Sequence, residues 1–269
     1  MGLAGALRSD LYRIIHSVLF GSVFLLLHVY ILVHVIMDVL PVSKCILGAE
    51  YPETVFRYWI GMDFSSGFSV GYYMIVPGIA ALVPGAIYIY EKRNGYMNQL
   101  VVESGRKEAC LAKLFSSFLA GGVLAAFPVL SDYLIISTML PSVRPIAATF
   151  FYTVNGDDFL SELFYEHSTI YVLLRILIVF VMVGAFSTIC FMSEKLIDNE
   201  YAAMVFPFAV FMGLHIIFTY SGQGAYSPYN MLCPGNSNGV TWLGIVLLSG
   251  ILFVIGTLFA LIEVQRYEV

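Results

Sequence analysis

Six long apolar runs alternate with short polar stretches along the 269 residues of the chain. A transmembrane helix needs about 20 mostly apolar residues, and each run is close to that length. The runs predict membrane spans at about 15–39, 68–90, 110–137, 169–193, 201–220 and 241–263. We therefore expect an all-α polytopic membrane protein in which residues 1–269 form one transmembrane domain.

A shorter amphipathic stretch precedes the first span. Its apolar side chains recur every four residues, at Leu3, Leu7, Leu11 and Ile15, and charged residues such as Arg8 lie between them. This spacing predicts a helix over 3–14 that lies on the membrane surface. A plain extension of the first span is the alternative.

The composition agrees with an integral membrane protein. Hydrophobic residues make up 59% of the chain and charged residues 12%, whereas roughly a quarter of the residues in a soluble domain are charged. The length leaves room for six spans with short loops and none for a soluble ATPase or enzyme domain. The net charge of −5 excludes a broad basic surface, so the expected partner is the lipid bilayer and not nucleic acid. We also expect no cleavable signal peptide.

The positive charges predict an orientation. Nine of the 13 Lys and Arg fall on one side of the predicted spans: Arg8, Arg13, Lys92, Arg93, Arg106, Lys107, Lys113, Lys195 and Arg266. The other four are Lys44, Arg57, Arg144 and Arg175. Because Lys and Arg are retained in the cytoplasm, both termini are predicted to be cytoplasmic, in a cell membrane that we take to be a bacterial plasma membrane.

The densest basic stretch, residues 91–113, lies between the second and third predicted spans and holds five of the 13 Lys and Arg. Met97, Leu100 and Val101 return there at near-helical spacing, and the Ser104-Gly105 pair should end the helix. The stretch therefore predicts a short cytoplasmic helix between two spans, in a position to take force from a soluble partner.

The same residues resemble the coupling segment of the type-two ABC exporter permeases, which are six-span subunits of ABC transporters of the type V fold. The resemblance rests on Glu91-Lys92-Arg93-Asn94-Gly95, then Leu100, Glu103-Ser104-Gly105-Arg106-Lys107 and Lys113. Arg93 stands where the family has a second acidic residue, and Tyr96 stands where Thr is usual. Residues 7–17 resemble the family's N-terminal elbow helix, and Ser227-Pro228-Tyr229-Asn230 resembles its Ser-Pro segment before the last span.

The resemblance implies a transport permease without its own ATPase site. ATP and Mg would be bound by a separate ABC ATP-binding subunit, with no cofactor bound directly to this chain, and a second permease subunit would complete a homodimer or heterodimer. The coupling segment would be residues 91–108. Residues expected at the contact with the ATP-binding subunit are Glu91, Lys92, Arg93, Asn94, Gly95, Tyr96, Glu103, Ser104, Gly105, Arg106 and Lys107. Family members of this size commonly export peptides, so a peptide or another amphipathic substrate is expected.

Two pairings are predicted on the outer side. Asp132 and Arg175 lie near the outer ends of the third and fourth spans, where a charge is costly in lipid, so an ion pair between them is expected. Cys45 and Cys233 fall in outer loops, where a disulfide can form if the two Cα atoms lie within roughly 7 Å. Two separate loop cysteines are the alternative.

The first and second outer loops are also expected to meet the lipid headgroups. In the first loop, the aromatic residues Tyr51, Phe56, Tyr58 and Trp59 favour that level of the membrane. In the second loop, Asp157-Asp158 is expected to cap a short interfacial helix.

Acidic residues outnumber basic ones on the predicted outer side. The acidic residues are Asp38, Glu50, Glu53, Asp63, Asp132, Asp157, Asp158, Glu162 and Glu166. Such a surface attracts cations over about a Debye length, ~8 Å at physiological salt. This favours an amphipathic or cationic peptide as substrate, with Tyr72, Tyr73 and Phe127 lining part of its route. The alternative is that the carboxylates only keep the loops soluble.

Two other classes of function stay open. The sequence has no HExxH and no Walker motif, and no catalytic residues are assigned. An intramembrane metal-dependent enzyme would need His28, His34, His215 or Asp132 to converge on a metal. The six-residue gap between His28 and His34 puts them on different helical faces, so we expect no metal site and assign these histidines to pairing within the bundle or to the interface. A non-transporting membrane anchor or sensor subunit is the third hypothesis.

Overall fold

The computed structural model describes residues 2–44, 53–64, 67–147, 152–197 and 199–264. Within those ranges the chain is helical with turns and no strand, and six helices are long and apolar enough to cross a membrane. The predicted all-α polytopic fold class is therefore confirmed.

The six spans begin and end close to the predicted positions. They are span 1 at Val18–Ser43, span 2 at Phe68–Arg93, span 3 at Arg106–Met139, span 4 at Ser168–Ser193, span 5 at Glu200–Tyr220 and span 6 at Trp242–Ile262. Span 3 is longer than predicted. At 1.5 Å per residue its 34 residues extend about 51 Å, well beyond a hydrocarbon core of about 30 Å.

Span 1 runs past its predicted end at residue 39 and through Pro41 to Ser43. A π-helical turn at Val35–Val39 comes directly before the last four helical residues, Leu40–Ser43. Proline cannot donate a backbone hydrogen bond and its ring crowds the preceding turn. The wider π turn accommodates that crowding, so the helix passes the proline.

Spans 3 and 4 form the centre of the bundle, while most of the surface of spans 1, 5 and 6 is exposed. Glycines let spans 3 and 4 approach closely. A Cβ atom at Gly121 would lie 1.8 Å from Ser187 Oγ, and one at Gly184 would lie 2.7 Å from the carbonyl oxygen of Phe118. Small residues on spans 3 and 4 therefore lie where the two helices touch.

Two short helices lie at one end of the bundle. The surface helix, Leu3–Ile15, is the one predicted at the N-terminus, and its face with Ala6, Asp10 and Ile14 is buried. The linker helix, Tyr96–Ser104, joins spans 2 and 3. Glycines flank the linker helix, Gly95 with φ 71° and Gly105 with φ 90°. Both lie in the left-handed half of conformational space that favours glycine, which is why the chain turns sharply at these two points. We call this end of the bundle the linker end.

The loops at the opposite end are folded onto the bundle. They contain short helices at Val55–Tyr58, Ser161–Glu166 and Pro228–Leu232, with 3₁₀ turns at Gly224–Tyr226 and Pro234–Asn236. Phe56, Tyr58 and Trp59 are buried within the protein, so their side chains do not face lipid headgroups, while the membrane level at which they lie stays a prediction. Tyr51 lies outside the described residues.

The helix expected to be capped by Asp157-Asp158 begins later, at Ser161. Leu160, immediately before it, has φ 64°. The Asp158 carboxylate accepts a hydrogen bond from the backbone N–H of Asn155 at 2.6 Å and caps a turn instead of the helix.

Candidate functional sites at the two ends of the bundle

A buried ion cluster holds the linker end together. Lys113 of span 3 donates to Asp10 of the surface helix and to Glu91 of span 2, and Ser116 also donates to Asp10. The side chains of Lys113, Asp10 and Glu91 are at most 4% exposed. Buried charges are tolerated when each has a close opposite partner, as these have. The cluster therefore fixes the surface helix against spans 2 and 3.

Arg13 extends the cluster to the linker helix. Its guanidinium lies 3.2 Å from Glu91 and 3.3 Å above the ring of Tyr96. The Tyr96 hydroxyl is also within hydrogen-bond distance of Ser9, at 3.4 Å. A cation stacked on an aromatic face is attracted by the ring's electrons. The first residue of the linker helix, Tyr96, is thus bound to the surface helix. The cluster holds two positive side chains, Arg13 and Lys113, and two negative ones, Asp10 and Glu91.

The sequence assigned Glu91 and Ser104 to a contact surface for a soluble subunit, but both are buried. Glu91 belongs to the ion cluster, and the Ser104 hydroxyl donates to the carbonyl of Leu100 at 2.6 Å. These two assignments are corrected, because neither side chain can reach a partner. Tyr96 is half-buried beneath Arg13.

The other predicted contact residues remain accessible. Arg93, Asn94, Glu103, Arg106 and Lys107 are exposed, and Lys92, Gly95 and Gly105 are half-buried. Arg93 forms an ion pair with Glu200 at the start of span 5. Val102 is 71% exposed on the linker helix, beside exposed Glu103. An apolar side chain on a polar face is typical of protein contact surfaces, and Val102 was not among the residues predicted for one.

At the opposite end, His34 of span 1 joins three carboxylates. His34 Nδ1 lies 2.9 Å from Asp132 of span 3, while Nε2 lies 3.3 Å from Asp63 and 4.0 Å from Asp38. The second oxygen of Asp132 accepts the backbone N–H of Ile60 at 2.7 Å. His34 and Asp132 are fully buried and Asp63 nearly so. The cluster binds the loop at 53–64 to spans 1 and 3.

The predicted ion pair between Asp132 and Arg175 is therefore wrong. Asp132 faces His34, and Arg175 turns toward the loop before span 6. The guanidinium of Arg175 donates to Ser237 Oγ at 2.6 Å and to the carbonyls of Met231 and Pro234 at 3.3 and 3.4 Å. An arginine has five N–H donors, so one side chain can satisfy several carbonyls that a helix end leaves free.

The histidines named for an intramembrane enzyme do not converge. His28 Nδ1 is 2.8 Å from the carbonyl of Phe24, and His215 Nδ1 is 2.7 Å from Ser227 Oγ. Only His34 and Asp132 of the four candidates touch each other in the part of the chain that the structure describes. The expectation of pairing within the bundle is confirmed for His34.

The cysteines are free thiols where they are described. Cys110 and Cys190 were expected to be thiols, and both are buried and free. Cys233 is also buried and free, and burial raises the pKa of its thiol to about 11. Cys45 lies outside the described residues, so the disulfide with Cys233 stays a prediction.

The three side chains expected along a substrate route do not share a surface. Tyr72 and Tyr73 are buried in the core, where the Tyr72 hydroxyl donates to the carbonyl of Ala125 at 2.6 Å. Phe127 is 48% exposed and packs beside Phe24 and His28 of span 1. The three side chains therefore do not line one open surface in the described residues, and their place on a substrate route stays a prediction.

An apolar groove of about 480 Å³ lies elsewhere, between spans 3, 4 and 6. Its walls include Phe118, Leu177, Trp242 and Phe253.

The acidic surface at the opposite end is smaller than the sequence suggested. Asp63, Asp132 and Asp158 are buried, and Glu53 pairs with Arg57 at 2.9 Å. The exposed acidic residues in the described part of the loops are Asp157, Glu162 and Glu166.

No family model, curated protein or solved structure matches this chain. At one end of the bundle the residues themselves provide a linker helix with an exposed polar face, flanked by the exposed basic residues Arg93, Arg106 and Lys107. At the other end they provide a buried histidine among carboxylates.

Proposed function

We propose that this chain is the transmembrane permease subunit of an ATP-driven ABC transporter and that a separate ATP-binding subunit supplies the energy. The observation that carries the proposal is the mounting of the linker helix. Gly95 and Gly105 let the linker helix run in a different direction from the two adjoining spans. Tyr96 and the ion cluster hold the helix in place. A helix held in this way transmits a push instead of absorbing it.

The cluster gives that push a defined path. Lys113 lies on span 3, Glu91 on span 2 and Asp10 on the surface helix, so a displacement of the linker helix moves all three elements together. ATP-driven closure of two ATP-binding subunits would shift the spans between two arrangements. The transporting unit would hold two permease subunits, identical or different, in a cell membrane with both termini in the cytoplasm. The resemblance of residues 91–113 to the type-two exporter permeases supports the same assignment.

The proposed direction is export, and the proposed substrate is a peptide or another amphipathic molecule. One support is the length of the chain, because members of the family it resembles that have this length commonly export peptides. The exposed carboxylates Asp157, Glu162 and Glu166 are the other, because they attract a cationic substrate to the end away from the ATP-binding subunits.

The test is co-purification of the chain with an ATP-binding subunit from the same cell, followed by ATPase measurement with candidate peptides. The decisive variant reverses Arg106 and Lys107 to Glu. Both side chains are exposed, so the fold should survive while substrate-stimulated ATPase and transport are lost.

The matched control is Lys44→Glu, a reversal of an exposed lysine at the opposite end. It should leave coupling unchanged. Normal transport by the Arg106→Glu, Lys107→Glu variant at normal expression would contradict the coupling role. A chain that binds its partner but never shows substrate-dependent ATP turnover would instead be the anchor or sensor subunit.

A further inference from the structure

The buried cluster around His34 has the donor atoms of a metal site. Nε2 of His34 and one carboxylate oxygen each of Asp38 and Asp63 all lie within 4.8 Å of one another. Zn²⁺ binds imidazole nitrogen and carboxylate oxygen at about 2.0–2.2 Å, so two ligands of a tetrahedral ion lie about 3.4 Å apart. The distance from Nε2 to Asp63 is 3.3 Å and the distance from Nε2 to Asp38 is 4.0 Å. The distance to Asp63 already matches the ligand spacing of a tetrahedral ion, and the distance to Asp38 has to shorten by well under 1 Å.

Asp132 stands behind the imidazole, where it would orient a metal ligand. It lies 2.9 Å from Nδ1, and its other oxygen is held by the backbone N–H of Ile60. A carboxylate that accepts from one ring nitrogen places the proton there and leaves the other nitrogen free to bind a metal. Metal-binding histidines in proteins commonly have such a carboxylate or carbonyl partner. The arrangement Asp132–His34–ion thus needs no rotation of the ring.

The backbone around the ligands is also unusual. The π-helical turn Val35–Val39 begins directly after His34 and contains Asp38. Such turns are rare in helices and occur frequently at functional sites, because they re-aim the side chains on either side. Here the turn sets the position of Asp38 relative to His34, the two ligands that span 1 supplies.

The site has an approach from outside the bundle. A cavity of about 240 Å³ is lined by Asp63 together with Tyr58, Met62, Phe64 and Thr153. It is large enough for water and a hydrated ion to reach the carboxylate. Three protein ligands leave the fourth position of a tetrahedral ion for a water molecule.

We propose that His34, Asp38 and Asp63 bind one Zn²⁺ ion, with Asp132 as the positioning residue behind His34. Three carboxylates, those of Asp38, Asp63 and Asp132, surround the imidazole of His34. The two positive charges of Zn²⁺ would offset the negative charge that these carboxylates concentrate there. The ion would fasten the loop at 53–64 to span 1. This inference does not rest on the proposed transport function, and it assigns a ligand set that the sequence did not predict.

The test uses the full-length protein in detergent after treatment with a chelator. Calorimetric titration with ZnCl₂ should give one ion per chain, and Zn²⁺ should raise the melting temperature because it binds the folded state. Asp38→Asn changes the most exposed ligand and keeps its shape. This variant should weaken Zn²⁺ binding by at least about 10-fold. Asp132→Asn should weaken it by about 10–100-fold.

Two controls separate the site from surface binding. His28→Gln removes another histidine of span 1, and Asp157→Asn removes an exposed carboxylate, so both should bind Zn²⁺ like the parent protein. Co²⁺ supplies a second readout, since a four-coordinate Co²⁺ ion with nitrogen and oxygen ligands has visible absorption bands that Asp38→Asn should alter. Absence of saturable Zn²⁺ binding, or equal affinity of the parent and Asp38→Asn and Asp63→Asn variants, would overturn the proposal.

Discussion

Lys113 donates a hydrogen bond to Asp10, a residue 103 positions earlier in the chain. The pair joins the start of span 3 to the surface helix, and Glu91 and Arg13 complete the cluster. Four charges from three elements thus meet where the linker helix begins.

Lys113→Met should destabilise the protein strongly. The change leaves Asp10 and Glu91 buried, and the remaining cation of the cluster, Arg13, lies beside Glu91. Loss of one partner from a buried ion pair costs about 3–5 kcal/mol, and thermal or denaturant unfolding in detergent would measure it. The control is Lys107→Met, because Lys107 is exposed on the same helix and its loss should change stability by no more than about 0.5 kcal/mol.

A double variant distinguishes the ion cluster from simple packing. Asp10→Asn with Lys113→Met removes one charge of each sign, so its cost should be clearly smaller than the sum of the two single changes. Additive costs would show that Lys113 and Asp10 do not stabilise the fold through each other.

Gly184→Ala should lower stability by about 1–3 kcal/mol, because an added methyl group would lie 2.7 Å from the carbonyl oxygen of Phe118. That oxygen belongs to the backbone of span 3 and cannot rotate away. Gly213→Ala is the matched control in span 5, where nothing lies within 4 Å of the added atom. Melting temperatures in detergent compare the two, and an equal effect of both changes would exclude close packing of spans 3 and 4 as the cause.

Cys233 should react slowly with thiol reagents in the native protein. Burial raises the pKa of its thiol from the usual 9 to about 11, so at pH 8 only about one thiol in a thousand is ionised. The thiolate is the reactive form, and the reaction should therefore speed up as the pH rises toward 11. A cysteine introduced at the exposed position Ser221 provides the reference rate.

The same labelling experiment tests the disulfide. Cys233 as a free thiol should be labelled after unfolding without any reductant. If labelling of Cys233 and Cys45 requires reductant, the two are bonded, as the sequence analysis predicted.

A cationic amphipathic peptide should stimulate the ATPase of the reconstituted complex more than its charge-reversed analogue does. The attraction comes from Asp157, Glu162 and Glu166, so the difference should shrink as salt screens it. Replacement of these three residues by Asn or Gln should remove the difference. Equal stimulation by both peptides at low salt would reject electrostatic selection.

The sequence by itself determined the six spans and the two short helices at the linker end. An apolar run of about 20 residues has few alternatives to a membrane-spanning helix, because lipid offers its backbone no hydrogen-bond partner. Gly95 and Gly105 mark the ends of the linker helix in the same local way, since their positive φ angles suit glycine. Such features depend only on neighbours in the chain.

The partners of the charged residues were decided by the tertiary structure. Helical periodicity tells which residues share a face of one span, but not how that span is rotated against the next. Asp132 was therefore assigned to Arg175 on the following span, whereas it binds His34, 98 positions away, and Arg175 binds loop carbonyls instead. Glu91 was placed on the contact surface because of the resemblance of residues 91–113, although it is buried against Arg13 and Lys113. A buried charge must find an opposite charge or a hydrogen-bond partner. Only the packing of distant helices decides which one it finds.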